Sequence, residues 1–283
     1  MRIFLIITFA LKYQVMKRIF FTLMLFTASC TVAPRINVSS TNASSGNLVT
    51  DGKIYTTAYQ QRAAEYRALC YQAFNIAHQR VDEIILTKTE KPKVIITDID
   101  ETVLDNSAYE AHQTLQGKGY EPDTWYEWSG MIKADTVPGS LSFLKYASSK
   151  GIEIFYITNR GERERDFTLK NLQKFNFPNA DSAHLFPLHN TSSKEQRRQN
   201  IAANRSIVML MGDNLGDFSS LFDKKNSDER NRNVNVLAAE FGSRFIILPN
   251  PVYGDWENSL YNYNYSLTGA QRDSVIKASL HSY

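Results

Sequence analysis

Four short apolar runs, KVIITDID (93–100), IEIFYITNR (152–160), SIVMLMGDN (206–214) and RFIILPNP (244–251), mark the later part of the chain. Each has the length of a strand, and helical patterns separate them. That alternation predicts buried parallel strands joined by helical crossovers, an α/β doubly wound sheet. SLSFLKYASSKG (140–151) predicts the helix before the second strand, closed by Gly151. In such a sheet ligands lie beyond the carboxyl ends of the strands. Every acidic cluster of the chain falls there.

Upstream, Tyr59, Ala63, Tyr66, Cys70, Phe74, Ala77, Val81 and Ile84 recur at steps of three and four, which predicts one long helix with a single apolar face. Cys70 lies on that face, so it reads as a buried structural thiol. Further upstream, MKRIFFTLMLFTASC (16–30) has a charged start, a short apolar stretch and small residues before Cys30, the order of a signal peptide. Its apolar stretch falls short of the roughly 20 residues that span a bilayer. Thr27, Ala28 and Ser29 resemble a bacterial lipobox, although the usual Leu three positions before the cysteine is absent. Cleavage there would leave a lipidated Cys30 as the mature N-terminus. Translation is expected from Met16, with export to the periplasm or outer membrane on a lipid anchor. Residues 31–52, including the Ser-rich VSSTNASSGNLVTDG, read as a disordered tether.

A net charge of +3 on 283 residues, with no dense Lys/Arg block, argues against a nucleic-acid partner. The chemistry is better sought in the acids. Asp98 and Asp100 close the first strand two residues apart, so both side chains leave one face. Asp213 and Asp217 stand at the end of the third run. Taken singly, each reads as a cap or turn residue. Together, with YITNR and a lysine between the two pairs, they form an oxygen-only cluster suited to a hard divalent cation, Mg²⁺ where phosphate also binds. His78, His112, His184, His189 and His281 are scattered without ligand spacing and read as surface or structural residues.

VIITDIDETVLDNSAY and IVMLMGDNLGDF resemble the two signature motifs of the class C acid phosphatases, a branch of the haloacid dehalogenase-like (HAD) hydrolases; TWYEWSG, PGSLSFL, ITNRGERER, SSKEQRR and RFIILPNPVYGDWE extend the likeness over most of residues 55–260. The resemblance implies that Asp98 is the nucleophile of an aspartyl-phosphate mechanism and Asp100 the general acid and base. Mg²⁺ would be held by Asp98, the Asp100 backbone carbonyl and Asp213, with Asp217 supporting that shell. Thr158, Asn159 and Lys194 would bind the phosphoryl group. As plain residues, Thr158 also suits a strand and Lys194 a solvated helix start. Arg160, Arg163, Arg197 and Arg198 are expected to pair with acids or solvent.

Trp125, Trp128 and Tyr253 are expected in polar loops that follow strand ends. The resemblance favours Trp125 and Tyr253 as a stacking pair for a nucleoside monophosphate, and packing within a small helical cap is the equal alternative. A cap is expected from residues 55–90 and 107–136 and the C-terminal tail, around a phosphatase domain of residues 53–270, with a helical tail at 271–283. Tyr261, Tyr263 and Tyr265 read as packing, and FDKKNSDERNRNVN (222–235) as a surface loop. The function expected is an exported, Mg²⁺-dependent acid phosphatase acting on phosphomonoesters, with a homodimer and an acidic optimum implied by the resemblance. The alternatives are a phosphotransferase of the same superfamily and a non-catalytic phosphate-binding surface lipoprotein.

Overall fold

The computed structural model describes residues 48–283, so the leader, Cys30 and residues 31–47 of the expected tether lie outside the described residues. The first helix, α1, runs Leu48–Arg62, and α2 runs Ala64–Ile84. Residues 48–52, read above as tether, are thus the opening turns of a helix. The single long helix expected is also two, because Ala63 takes an extended conformation at φ −78° and ψ 127°.

A five-stranded parallel sheet forms the centre, in the order β5-β4-β1-β6-β7. Its strands are β1 (Lys93–Thr97), β4 (Glu153–Gly161), β5 (Leu185–Leu188), β6 (Ser206–Gly212) and β7 (Phe245–Ile247). Four of them are the predicted runs. The fifth, LFPL, went unread because a proline interrupts a four-residue run, and it sits where a proline is tolerated, on the sheet edge.

Alternation along β1 divides the core. Ile95 faces a cluster with Tyr66, Cys70, Phe74, Ala77 and Val81 of α2, whereas Val94 and Ile96 face Ile201, Leu210, Phe218 and Phe245. The structure therefore places α2 in the layer that covers the sheet. No residue of the expected cap segment 55–90 lines the cleft; α1 reaches it through Val49, Thr50 and Lys53, upstream of that segment. Cys70 is fully buried, and burial pushes its thiol up to about 11, as expected of an inert packing residue.

After β1 the chain turns tightly, crosses β2 (Leu104–Asp105), forms α3 (Ser107–Leu115) and α4 (Pro122–Gly130), and returns through β3 (Asp135–Thr136), antiparallel to β2. Helix α5 (Ser140–Ser149) ends as predicted, with Gly151 at φ +80°. Three further helices follow: α6 (Arg165–Lys174), α7 (Glu195–Ala202) and α8 (Ser227–Val236). The last replaces the expected surface loop. Asn226 and Glu229 close a capping box at its start, and Arg230 is buried against the Phe222 carbonyl. Helices α9 (Asp255–Leu260) and α10 (Gly269–Ser279) complete the chain, and α10 packs on α1. Among the described residues, no helix is long and apolar enough to cross a membrane.

Candidate active site

The crossovers from β1 lead through β4 to β5 on one side, and the chain then returns to lay β6 and β7 on the other. A crevice opens where that direction reverses, beyond the ends of β1 and β6. Thr97 pairs with Met211, and the Asp98 amide donates to the Met211 carbonyl at 2.9 Å. This register sets Asp98 directly beside the Gly212–Asp213 step.

Carboxylate oxygens of Asp98, Asp213 and Asp217 lie within 4.8 Å of one another. Lys194, buried at the N-cap of α7, donates to Asp98 Oδ1 and lies 2.6 Å from Asp217 Oδ1. Burial opposes the lysine's charge, and Asp217 and Asp98 outweigh it, so its pKa is raised. Asp213 is driven well above the usual carboxylate range by burial and by Asp98 and Asp217. Asn250 donates to Asp213 at 2.7 Å and accepts from the amides of Val252 and Tyr253, tying this acid to the loop that carries Tyr253.

Gly212 explains how Asp217 comes so near. A Cβ there would lie 2.2 Å from an Asp217 oxygen, so only glycine lets this carboxylate fold back over the strand end. Asp217 also accepts from the Asn214 amide at 3.0 Å, a capping interaction. The cap reading and the cluster reading of Asp217 are both true.

Asp100 is held by partners outside the cluster. Arg160, fully buried at the end of β4, grips it through Nε and Nη2, and Asn106 donates to the same carboxylate at 2.8 Å. The Trp128 indole donates to Asn106 Oδ1 at 2.9 Å, so Trp128 supports this arrangement, and it is not among the residues that line the cleft. Thr158 is fully buried. Its hydroxyl faces Asp100 Oδ2 at 3.5 Å and accepts from the Arg160 amide at 3.0 Å. The Asn159 amide is engaged by Arg197 at 2.7 Å and by the Ser192 carbonyl at 3.0 Å, although the residue lines the cleft.

The other arginines act as braces. Arg197 donates to the Thr158 carbonyl at 2.7 Å, and Arg198 to the Asp217 carbonyl at 2.7 Å and to Glu195 at 2.6 Å. Arg163 lies over the Tyr126 ring at 4.5 Å. Acids and solvent were the partners expected of these residues; backbone carbonyls at the strand ends take much of that role. Glu101, which by sequence reads only as a cap or turn residue, is a buried acid at φ 56° that accepts from the Tyr253 hydroxyl and from the Asn106 amide at 2.7 Å. The only signal for it was its place in the acidic run.

Of these residues, Asp98, Asp100, Asn159, Arg160, Lys194, Asp213 and Asp217 line one cleft of about 880 Å³, and Thr158 is outside its lining. Asp98, Asp100, Lys194, Asp213 and Asp217 form its floor, with Trp125 and Tyr253 on its walls. Trp125 is fixed edge-on to Tyr109 at 5.1 Å and lies under Arg160 at 5.4 Å, so it packs within the cap and faces the cleft at once. Tyr265, read as packing, lines the cleft and is 61% exposed; Tyr261 is the buried member of that trio.

A family model described as HAD superfamily, subfamily IIIB (acid phosphatase), matches residues 14–256. The class C acid phosphatase from Bacillus anthracis is 41% identical, with 83% of this chain and 99% of that chain covered and a TM-score of 0.80. A second structure of that protein, with tungstate bound, matches at 40% identity over 83% and 98% of the two chains, again with a TM-score of 0.80. The family match runs through both acidic strand ends, and the relatives align over nearly their whole length. On that ground the chain belongs to the acid phosphatases of HAD subfamily IIIB.

Proposed function

We propose that this acid phosphatase is an exported, Mg²⁺-dependent phosphomonoesterase that works through an aspartyl-phosphate and accepts nucleoside 5′-monophosphates. The observation that carries the reading is the convergence of Asp98, Asp213 and Asp217 around Lys194 at the cleft floor. The donor set fits a hard divalent cation: all oxygen, mutually repelling, and with Asp213 held unfavourably in its charged form. Asp98, Asp213 and the Asp100 carbonyl would hold the ion, with Asp217 behind them. When bound, the ion supplies neutralising charge where two anions must meet.

The side chains carry the rest. An Asp98 oxygen forms a bond to phosphorus as the ester P–O bond breaks, and Asp100 gives its proton to the departing alkoxide. In the second step Asp100 takes a proton from water while the water oxygen bonds to phosphorus. The acyl phosphate bond then breaks, restoring the Asp98 carboxylate and releasing phosphate. Lys194 offers a positive charge to the transferring group and Asn159 lines the cleft with it, whereas Thr158, fully buried and outside the lining, faces Asp100. Tungstate is a tetrahedral oxyanion, and its presence in the relative supports a phosphoryl pocket of this kind. Trp125 and Tyr253 supply aromatic walls suited to a base.

Export and a lipid anchor at Cys30 are proposed from the leader sequence, and a homodimer from the family resemblance. The deciding experiment measures phosphate release from an aryl phosphate and a nucleoside monophosphate, with Mg²⁺ or a chelator, for the wild type and Asp98→Asn. Activity that needs both metal and Asp98 is the expected result. Turnover that survives in Asp98→Asn would end the covalent mechanism, and product transfer to an added alcohol would identify a phosphotransferase.

A further inference from the structure

Glu101 takes no part in the proposed steps, yet it is fully buried and sits at φ 56°, in the left-handed region that a glutamate rarely adopts. Its carboxylate bridges two loops. Oε1 accepts from the Asn106 amide at 2.7 Å, and Oε2 accepts from the Tyr253 hydroxyl. Its own amide donates to the Leu104 carbonyl at 2.8 Å.

Each of these bonds leads to the carboxylate cluster or its neighbours. The peptide that carries the Glu101 amide also carries the Asp100 carbonyl, and a trans peptide points the two in opposite directions, so fixing the amide fixes the carbonyl. Asn106 passes the hold of Oε1 to Asp100 Oδ1, to which it donates at 2.8 Å. Tyr253 passes the hold of Oε2 along its own backbone: its amide donates to Asn250 Oδ1 at 3.2 Å, and Asn250 donates to Asp213 Oδ2 at 2.7 Å. Asp213 Oδ1 meets the Thr102 hydroxyl only at 3.5 Å, the limit of a hydrogen bond, so Asn250 is its firm partner.

We infer that Glu101 is a positioning residue for the ion site: by clamping the Tyr253 hydroxyl it holds the loop of residues 249–254, and through Asn250 the Asp213 carboxylate, in register with the Asp100 carbonyl. The inference rests on the Mg²⁺ reading of Asp98, Asp213 and Asp217. Carboxylates that repel one another drift apart unless their supports hold them, and an ion must then gather them at the expense of its own affinity. Oxygen ligands drawn from two loops therefore need a tie between the loops. Glu101 supplies it across 152 positions of sequence. Removing an outer support of this kind weakens metal binding about 10- to 100-fold.

Calorimetric titration of Mg²⁺ into the metal-free full chain tests this in the wild type, Tyr253→Phe, Glu101→Leu, Glu101→Gln and the double variant Tyr253→Phe/Glu101→Leu. Tyr253→Phe keeps the ring and deletes only the hydroxyl, and it is expected to weaken binding about tenfold. Glu101→Leu is expected to weaken it about 10- to 100-fold, whereas Glu101→Gln, whose amide can accept from Asn106 and donate to the Tyr253 oxygen, is expected to stay within about threefold of the wild type. Both sites act through one chain of bonds, so the double variant is expected to bind no more weakly than Glu101→Leu alone. Three results overturn the inference: wild-type affinity in Tyr253→Phe, losses that multiply in the double variant, or a Glu101→Gln as weak as Glu101→Leu, which would assign the effect to charge and not to the bonds. Tyr253→Phe decides the matter by itself should Glu101→Leu fail to fold. A wild type that binds no Mg²⁺ overturns the ion reading itself, and the inference with it.

Discussion

Arg160 Nη2 lies 2.7 Å from Asp100 Oδ1, and its Nε lies 3.0 Å from the same oxygen and 3.2 Å from Oδ2. This planar fork fixes the direction of the carboxylate proposed to serve the leaving group, which a single charge could not do. Arg160→Lys should therefore keep the fold and lose about 100-fold in kcat with little change in KM, the cost of misplacing a catalytic group by an ångström. Arg160→Ala should also lower the melting temperature, because it leaves a half-buried carboxylate without its partner. Steady-state kinetics and a thermal melt on both variants check this; a lysine variant with wild-type kcat would show that charge alone suffices.

Gly212 offers a test of the carboxylate cluster that touches no acid. In Gly212→Ala the new Cβ would overlap Asp217, whose nearest atoms lie at 2.2–2.5 Å from that position, and Asp217 must move. Metal affinity measured by calorimetry should fall by about tenfold or more, with activity recovered in part at high Mg²⁺. Unchanged affinity would mean that Asp217 contributes nothing to the ion.

Four of the five sheet strands and the four aspartates were readable because each rests on local chemistry. Unbroken apolar runs can only be buried, and acids at the end of such runs must face the same crevice. What escaped depends on the third dimension. Arg160 sits 60 positions from Asp100, and nothing in YITNR says that its arginine turns toward DID and not toward solvent. Helix α8 was hidden by its polarity: its residues lack an apolar stripe, and only the Asn226–Glu229 capping pair marked a helix start. The break at Ala63 leaves the three-and-four periodicity of α1 and α2 uninterrupted, so the pattern alone could not reveal it.

Burial pushes Asp98 up to about 7, against the pull of Lys194 and with the help of Asp217 and Asp100. The sign follows from which state holds the proton. Between its ordinary value near 4 and about 7, Asp98 is protonated in the folded metal-free protein and ionised in the unfolded one, so metal-free stability falls as pH rises through that window. A cation requires the ionised form and reverses the loss. Mg²⁺ should raise the melting temperature more at pH 7.5 than at pH 5.5, and calorimetry in buffers of different ionisation enthalpy should detect protons released on binding at pH 5.5. Equal stabilisation at both pH values, with no proton release, would contradict it.

His184 gives the opposite dependence, far from the crevice. Its Nδ1 lies 2.7 Å from Asp181 and its Nε2 3.0 Å from Glu153, at the start of β4, which in turn accepts from Arg205 at 2.6 Å. Burial lowers the histidine's pKa, and the bonds to Asp181 and Glu153 outweigh it, so the net shift is upward; both carboxylates are correspondingly lowered. A raised histidine stabilises fully below its unfolded value of about 6.5, and the benefit disappears as pH rises through the folded value. The depressed carboxylates act in the other direction and lose their contribution in acid, which leaves about pH 5 to 6.5 as the window where the whole cluster acts. His184→Gln should therefore cost about 1 kcal/mol at pH 5.5, or roughly 2–4 °C in melting temperature, and markedly less at pH 8.5. Because the cluster joins the strand starts and not the strand ends, kcat should be unchanged. Denaturant melts at the two pH values decide the matter, since a cost that does not vary with pH would assign His184 a packing role alone.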